Sequence, residues 1–320
     1  MTNYDVFNGD ADGICALIQL RLAEPRDAVV ITGVKRDIEL LRQVDAKSGD
    51  QITVLDVSLD KNRTDLDRLL ATGATVFYVD HHFPGDNIPD HPALRTIINE
   101  SADVCTSLLV DNHLKGAFRG WAIVGAFGDN LRKSAIGLAK NSDYNEEQLK
   151  RLEDLGIYIN YNGYGSNLED LHFAPAELYK RAVRFKEPLD FINNSGGDFE
   201  KLETGYHQDM RYAAELPPES ATDKTAVFMF PDEPWARRVS GVYSNDLANN
   251  NPNRAHAILT SRKNGNYLVS VRAPINNKTG AVDLCKQFPT GGGRAAAAGI
   301  NDLPATMLRE FIDTFTAFYS

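Results

Sequence analysis

Cysteine is scarce. Cys15, Cys105 and Cys285 are odd in number, far apart and in no C-x-x-C pair, so neither a disulfide framework nor a zinc-cysteine site is expected. Such sparse thiols suit a reducing, cytoplasmic setting. Long apolar runs are also missing: none approaches the roughly 18–20 residues that span a bilayer, and no charged-then-apolar leader opens the sequence, so no membrane association is expected. A basic surplus is absent too. The 34 Lys plus Arg against 44 Asp plus Glu leave a net charge of −10, which argues against a long duplex nucleic acid as partner. A short phosphate substrate in one local basic pocket remains compatible with that charge. What is present is a globular composition, 42% hydrophobic and 24% charged, in a chain long enough for two domains and a core without covalent staples.

From Asn3 to about Asn130 short apolar runs alternate with amphipathic stretches. YDVF, AVVITG, QITVLD and ATVFYV predict strands, while GICALIQLRL, DIELLRQV and DLDRLLATG predict helices. Strands apolar on both faces and alternating with helices imply an α/β domain with a doubly wound, mostly parallel sheet. The stretch from Trp121 to Asp170 reads as largely helical. We place this first domain over residues 1–190, a polar linker region with NNSGGDFE and the Pro217-Pro218 pair over 191–224, and a smaller α/β domain with a mixed sheet over 225–320. In the last segment KTAVFMFPD predicts a strand and WARRVSGVYSNDLAN a helix. HAILTS and NYLVSVRAP predict a hairpin turned at Lys263-Asn264-Gly265, followed by a glycine-rich loop, an alanine-rich helix start and an amphipathic helix at MLREFIDTFTAFY.

Acidic residues fall where such a fold does chemistry. Asp10 and Asp12 follow the first predicted strand, Asp56 ends QITVLD, and Asp80-His81-His82 ends ATVFYV. In a doubly wound sheet the carboxyl ends of the strands open onto one crevice, so residues distant in sequence converge there. Asp129, in GAFGDN, ends an apolar helical run beside a glycine pair and joins the candidates. Four aspartates gathered without a cation would repel one another. Two divalent ions balance that charge, with the His81 imidazole completing a mixed oxygen and nitrogen set that suits Mn2+, with Mg2+ or Co2+ as substitutes. Such a pair can clamp a phosphoryl group for in-line attack, so the reaction expected from these residues is phosphoester hydrolysis. Read singly, Asp10 and Asp12 also fit a turn with a helix cap.

The ordered set NGDADG (Asn8 to Gly13), LDVS (Leu55 to Ser58), VDHH (Val79 to His82) and GAFGD (Gly125 to Asp129) resembles the four motifs of the DHH phosphoesterase superfamily. TGGGRAAAAGI (Thr290 to Ile300) resembles the glycine-rich signature of its DHH-associated C-terminal domain. The resemblance implies a two-domain hydrolase with a dinuclear, typically manganese-dependent site and an active-site cleft between the domains. Carried over by position, Asp10, Asp12, Asp56, His81 and Asp129 are the metal ligands, with Asp56 bridging both ions. His82 contacts the scissile phosphate and Asp80 orients a histidine. Two positions of the first motif depart from the family: Val6 stands where many members have histidine, and Asn8 where RecJ-like members have aspartate. Arg294 stands where the glycine-rich motif usually continues with histidine.

Substrate-binding residues expected in the second domain are Arg272, Gly291, Gly292, Gly293 and Arg294, whose guanidinium offers a planar fork for a phosphate. Tyr158, Tyr161 and Tyr164 could stack bases or pack in a core, and the Ser261 to Lys263 triplet reads as a solvated turn. His91, His113, His172, His207 and His256 match no motif and are read as ordinary histidines. The leading reading is a metal-dependent, nanoRNase- or exonuclease-like phosphodiesterase cutting short oligonucleotides or linear dinucleotides to mononucleotides. Cyclic-dinucleotide phosphodiesterase, nucleotide phosphomonoesterase and exopolyphosphatase or pyrophosphatase are the enzyme alternatives; a non-catalytic nucleotide-binding sensor is the alternative of another class. RNA versus DNA, cleavage direction and oligomeric state stay open.

Overall fold

The computed structural model describes residues 1–320, which divide into two compact units, Met1–Thr204 and Gly205–Ser320. In the N-terminal unit β1 (Asn3–Phe7), α1 (Ala11–Ala23), β2 (Val29–Ile31), β3 (Gln51–Leu55), α2 (Leu59–Ala71), β4 (Thr75–Asp80) and β5 (Leu94–Ile98) build a five-stranded sheet in the order β2-β1-β3-β4-β5. Every pairing in it is parallel. Val6, Val54, Val76 and Tyr78 share one core cluster with Leu59, Leu66 and Leu69 of α2, the reason these strands read as unbroken apolar runs. The order reverses direction between β1 and β3, the position at which open α/β sheets form their crevice.

The helical stretch predicted after Trp121 is present. α3 (Thr106–His113) and α4 (Arg119–Gly128) precede α5 (Arg132–Ala139), α6 (Glu146–Asn162), α7 (Pro175–Ala182) and α8 (Pro188–Asn194). α1 is buried along nearly its whole length and packs on α3 and α4. The glycines of GAFG make that packing possible. A Cβ at Gly125 would lie 2.2 Å from Ser107 Oγ, and one at Gly128 would lie 2.3 Å from the Ala11 Cβ, so larger residues would push α4 and its terminal Asp129 away.

One local expectation is corrected, and two segments gain detail. DIELLRQV forms only a 3-10 turn at Leu40–Gln43, because Asn62 of α2 accepts from the Leu41 amide and donates to the Ile38 carbonyl, taking groups a helix would use. LRTII, not read as a strand, is the edge strand β5. The segment 191–224, expected as a linker, is largely helical: α9 (Asp198–Glu215) follows α8, and the division between the units falls within it. Phe191, Ile192, Phe199 and Leu202 are buried, which is what holds this polar sequence in helices.

In the C-terminal unit β6 (Ser220–Ala221), β7 (Thr225–Phe230), α10 (Pro234–Asn250), β8 (Ala255–Ser261), β9 (Tyr267–Arg272), α11 (Ala281–Cys285), β10 (Gly291–Gly293), β11 (Ala297–Leu303) and α12 (Leu308–Phe318) form a six-stranded sheet in the order β10-β11-β9-β8-β7-β6. β7 and β8 are parallel and the other pairs antiparallel, so the sheet is mixed as expected. The β8–β9 hairpin turns at Gly265, whose φ of 84° is a glycine conformation. The alanine-rich helix start is a correction: Ala297–Leu303 is a strand, since β9 and β10 pair with it on either side and overrule alanine's helical preference. No helix of the chain is long and apolar enough to cross a membrane.

Candidate metal centre

The first motif is a tight turn from β1 into α1. Asp10 caps the helix, its Oδ1 accepting from the Asp12 amide at 3.0 Å and the Gly13 amide at 3.1 Å. Gly13 has to be glycine, because a Cβ there would sit 2.3 Å from the Asn8 carbonyl oxygen. Asp56 follows β3 with a φ of 57°, a conformation disfavoured for any residue but glycine and held at the end of adjacent, hydrogen-bonded strands. Asp80 is the last residue of β4. β1, β3 and β4 are neighbours in the sheet, so these three strand ends present Asp10, Asp12, Asp56, Asp80, His81 and His82 side by side.

His81 is where they converge. Its Nε2 lies 3.4 Å from Asp56 Oδ1 and 3.9 Å from both Asp12 Oδ2 and Asp129 Oδ2. Its Nδ1 lies 3.0 Å from the Val104 carbonyl, which can only accept, so Nδ1 carries the proton and Nε2 offers a lone pair toward three carboxylates. Asp12 is held in place by the amides of Thr106 and Ser107 at the start of α3, each 2.7 Å away, and Thr106 Oγ1 donates to Asp56 Oδ1. The Cys105 thiol also adjoins Asp12 and Asp129, and burial together with those carboxylates keeps it protonated. Motif reasoning missed Cys105, whose only sequence signal is its place just before α3.

Without a cation this cluster is electrostatically unfavourable. Burial, then the surrounding aspartates, pushes the Asp56 carboxyl well above the usual carboxylate range. Burial and Asp12 push Asp129 up to about 6 against the opposing pull of Lys35 and His81. Asp56, His81 and His82 form one group whose ligand atoms lie close enough to share an ion, and Asp12, Cys105 and Asp129 form a second. With the His81 tautomer fixed from behind, these oxygen and nitrogen donors are the residues that could hold divalent metal.

Asp10 stands between the Asp56 carboxyl and Lys35. Its Oδ2 lies 2.5 Å from the Lys35 ammonium, which overrides the upward push of burial and brings the Asp10 carboxyl down to about 2. Asn8 Oδ1 accepts from the Asp10 amide at 3.2 Å, and its Nδ2 donates to the Lys35 carbonyl. Val6 is fully buried and apolar.

His82 Nδ1 lies 2.7 Å from Asp80 Oδ1, so the histidine that Asp80 orients is His82. Burial lowers the His82 pKa, but Asp80 more than compensates and raises it overall. Asp80 is fully buried and its Oδ2 has no hydrogen-bond partner. A cavity of about 340 Å³ lined by Arg21, Arg26, Phe77 and Arg95 lies at the amino ends of β3, β4 and β5, away from these groups.

Among the tyrosines, Tyr158 and Tyr161 are buried, the first against Phe199 and the second hydrogen-bonded to His172, so both belong to the core. Tyr164 is half-buried beneath the Lys35 ammonium. In the C-terminal unit Arg272 Nε donates to Asn245 Oδ1 and its Nη1 to Ser270 Oγ. Gly291, Gly292 and Gly293 form the short strand β10, and Arg294 stands exposed in the turn to β11. Ser261 to Lys263 lies at the β8–β9 turn, where Arg262 pairs with Asp302 at the surface. His256 of β8 is buried, with neither ring nitrogen hydrogen-bonded, which its lack of a motif did not foretell.

No protein-family model and no curated protein sequence matches the chain. Solved structures do. RecJ from Thermus thermophilus in complex with Mn2+ aligns with a TM-score of 0.64 at 16% identity over 99% of this chain, which spans 52% of that structure's length. The pGpG-specific phosphodiesterase PggH from Vibrio cholerae aligns with a TM-score of 0.57 at 13% identity over 100% of this chain and 99% of its own. An exopolyphosphatase-related protein from Bacteroides fragilis aligns with a TM-score of 0.52 at 15% identity over 99% of this chain and 90% of its own. The class is therefore a two-unit α/β protein with a carboxylate and histidine centre at its strand ends. Its fold is that of these three solved structures.

Proposed function

We propose that the chain is a divalent-metal-dependent phosphodiesterase that hydrolyses short oligonucleotides or linear dinucleotides to mononucleotides in the cytoplasm. The observation that carries this reading is the meeting of Asp12, Asp56 and Asp129 at the lone pair of His81 Nε2. A divalent ion, with Mn2+ preferred, supplies charge neutralisation there and Lewis acidity toward a phosphoryl oxygen. The chain's own groups do the rest. The Val104 carbonyl fixes the His81 tautomer, and the α3 amides fix the Asp12 carboxylate. Asp80 holds the Nδ1–H of His82 and favours its protonated ring, which suits His82 to stabilise charge on the scissile phosphate or to protonate the leaving oxygen. Arg272, the Gly291–Gly293 strand and the exposed Arg294 are assigned to substrate phosphate. Correspondence over nearly all of both chains with a phosphodiesterase specific for pGpG supports a dinucleotide-sized substrate.

The test is hydrolysis, with Mn2+, of a linear diadenylate, five-residue RNA and DNA, a cyclic dinucleotide, a nucleotide 3′-phosphate and pyrophosphate, with Asp80→Ala as control. Cleavage of the short linear substrates, lost in the control, is expected. Turnover of only the cyclic, monoester or inorganic compound would replace the substrate assignment. Nucleotide binding with no turnover of any substrate would replace the enzyme with a sensor.

A further inference from the structure

We propose that the cavity at the amino ends of β3, β4 and β5 is a second ligand site, built for a nucleoside monophosphate, with Arg26 and Arg95 taking the phosphate and the wall around Phe77 taking the base. It lies at the opposite ends of the strands from Asp56 and Asp80 and calls for no metal, so it stands apart from the hydrolytic reading. Gln51, Thr75 and Leu94, the first residues of the three strands, line it, together with Leu20, Arg21 and Glu24 from the end of α1 and His113 from the end of α3. Its volume of about 340 Å³ suits one small molecule.

Charge points to an anion. In a chain of net charge −10, three arginines and a single carboxylate, Glu24, line this cavity. The three guanidiniums are not equally engaged. Arg21 is committed to the fold, its Nε and Nη2 donating to the two Asp5 carboxylate oxygens at 2.7 and 2.6 Å. Arg26 donates through Nη1 to Gln51 Oε1 at 3.3 Å and through Nη2 to Thr53 Oγ1, but its Nε is buried without a partner, a costly state that a ligand oxygen would relieve. Burial and then the Arg21 guanidinium also lower the Arg26 pKa, a repulsion that a bound anion offsets. Arg95 is exposed, pairs with no carboxylate and lies 5.0 Å over the centre of the Phe77 ring. Two guanidiniums with open donors on one cavity suit the several oxygens of a phosphate. The rest of the lining suits a planar body: Leu20, Ile52, Val76 and Leu94 are apolar, and the His113 ring lies 5.5 Å from that of Phe77, tilted by 49°.

The full chain, stripped of metal, is titrated calorimetrically with AMP, adenosine and inorganic phosphate. One AMP per chain is expected, with adenosine and phosphate each at least about tenfold weaker, since each keeps only part of the contacts. Arg26→Gln and Arg95→Gln should each weaken AMP about tenfold, while Arg294→Ala, in the other unit, leaves it unchanged. The reverse pattern would overturn the proposal by placing AMP in the substrate site. No AMP binding would overturn it too, and phosphate as tight as AMP would overturn the nucleotide assignment. Should Arg26→Gln fail to fold, Arg95→Gln, a change at the surface, decides. A chain that binds AMP at this cavity and hydrolyses none of the substrates above would lose the phosphodiesterase reading and keep this site.

Discussion

Asp10 and Asp12 stand two residues apart, both buried, and each carboxylate receives two main-chain amides from the start of a helix, α1 for Asp10 and α3 for Asp12. From there they diverge. The remaining oxygen of Asp10 meets an ammonium, whereas Asp12 Oδ2 faces a histidine lone pair beside two further carboxylates. Helix amides can stabilise any anion, so they do not decide which aspartate is a ligand. The third neighbour decides, and it arrives from a distant part of the chain: Lys35 for Asp10, His81 for Asp12.

The sharpest way to break this contrast is at His81. His81→Ala is expected to lower kcat/KM by at least about a thousandfold, roughly 4 kcal/mol of barrier, with little change in melting temperature. Substantial residual turnover under saturating Mn2+ would place the ion elsewhere.

His256 supplies the opposite case, a buried histidine whose ring nitrogens have no partner. Burial and then Arg254 pull its pKa down to about 4. The unfolded chain therefore takes up this proton near pH 6.5 and the folded chain only near 4, so the stability is complete above 6.5 and lost progressively as pH falls toward 4. The full effect is about 3 kcal/mol. Chemical denaturation at pH 7 and pH 4.5 should show it, and His256→Leu should flatten the dependence; an unchanged slope would remove His256 as the cause.

Asp80→Asn keeps the size of the side chain but withdraws the charge from His82. A loss of about 10–100-fold in kcat with an unchanged Mn2+ count is expected, in line with carboxylates that orient a functional imidazole. A changed metal count would make Asp80 part of the ion's own surroundings. The smallest effect belongs to Arg294→Ala, about a fivefold rise in KM on short oligonucleotides, near 1 kcal/mol, with kcat retained. An unchanged KM would remove Arg294 from the substrate site.

The parallel sheet was legible because β1, β3 and β4 are buried on both faces, and their carboxyl ends could be read directly as the place for Asp10, Asp56 and Asp80. What sequence could not supply were partners brought by folding. Asn62 reaches from α2 to stop a helix at Leu41, and strands on both sides turn Ala297 and Ala298 into sheet. Lys35 carries no motif, so nothing in NGDADG distinguishes an aspartate held by a lysine from one that faces a metal. Spacing placed the carboxylates together but did not rank them.

The most direct test of that ranking is anomalous scattering at the manganese edge from crystals of the full chain soaked in Mn2+. A peak in bonding contact with His81 Nε2 and one or more of the Asp12, Asp56 and Asp129 carboxylates, with Lys35 still on Asp10, is the predicted result. A peak bound to Asp10 with Lys35 displaced, or no peak at His81, would contradict the account.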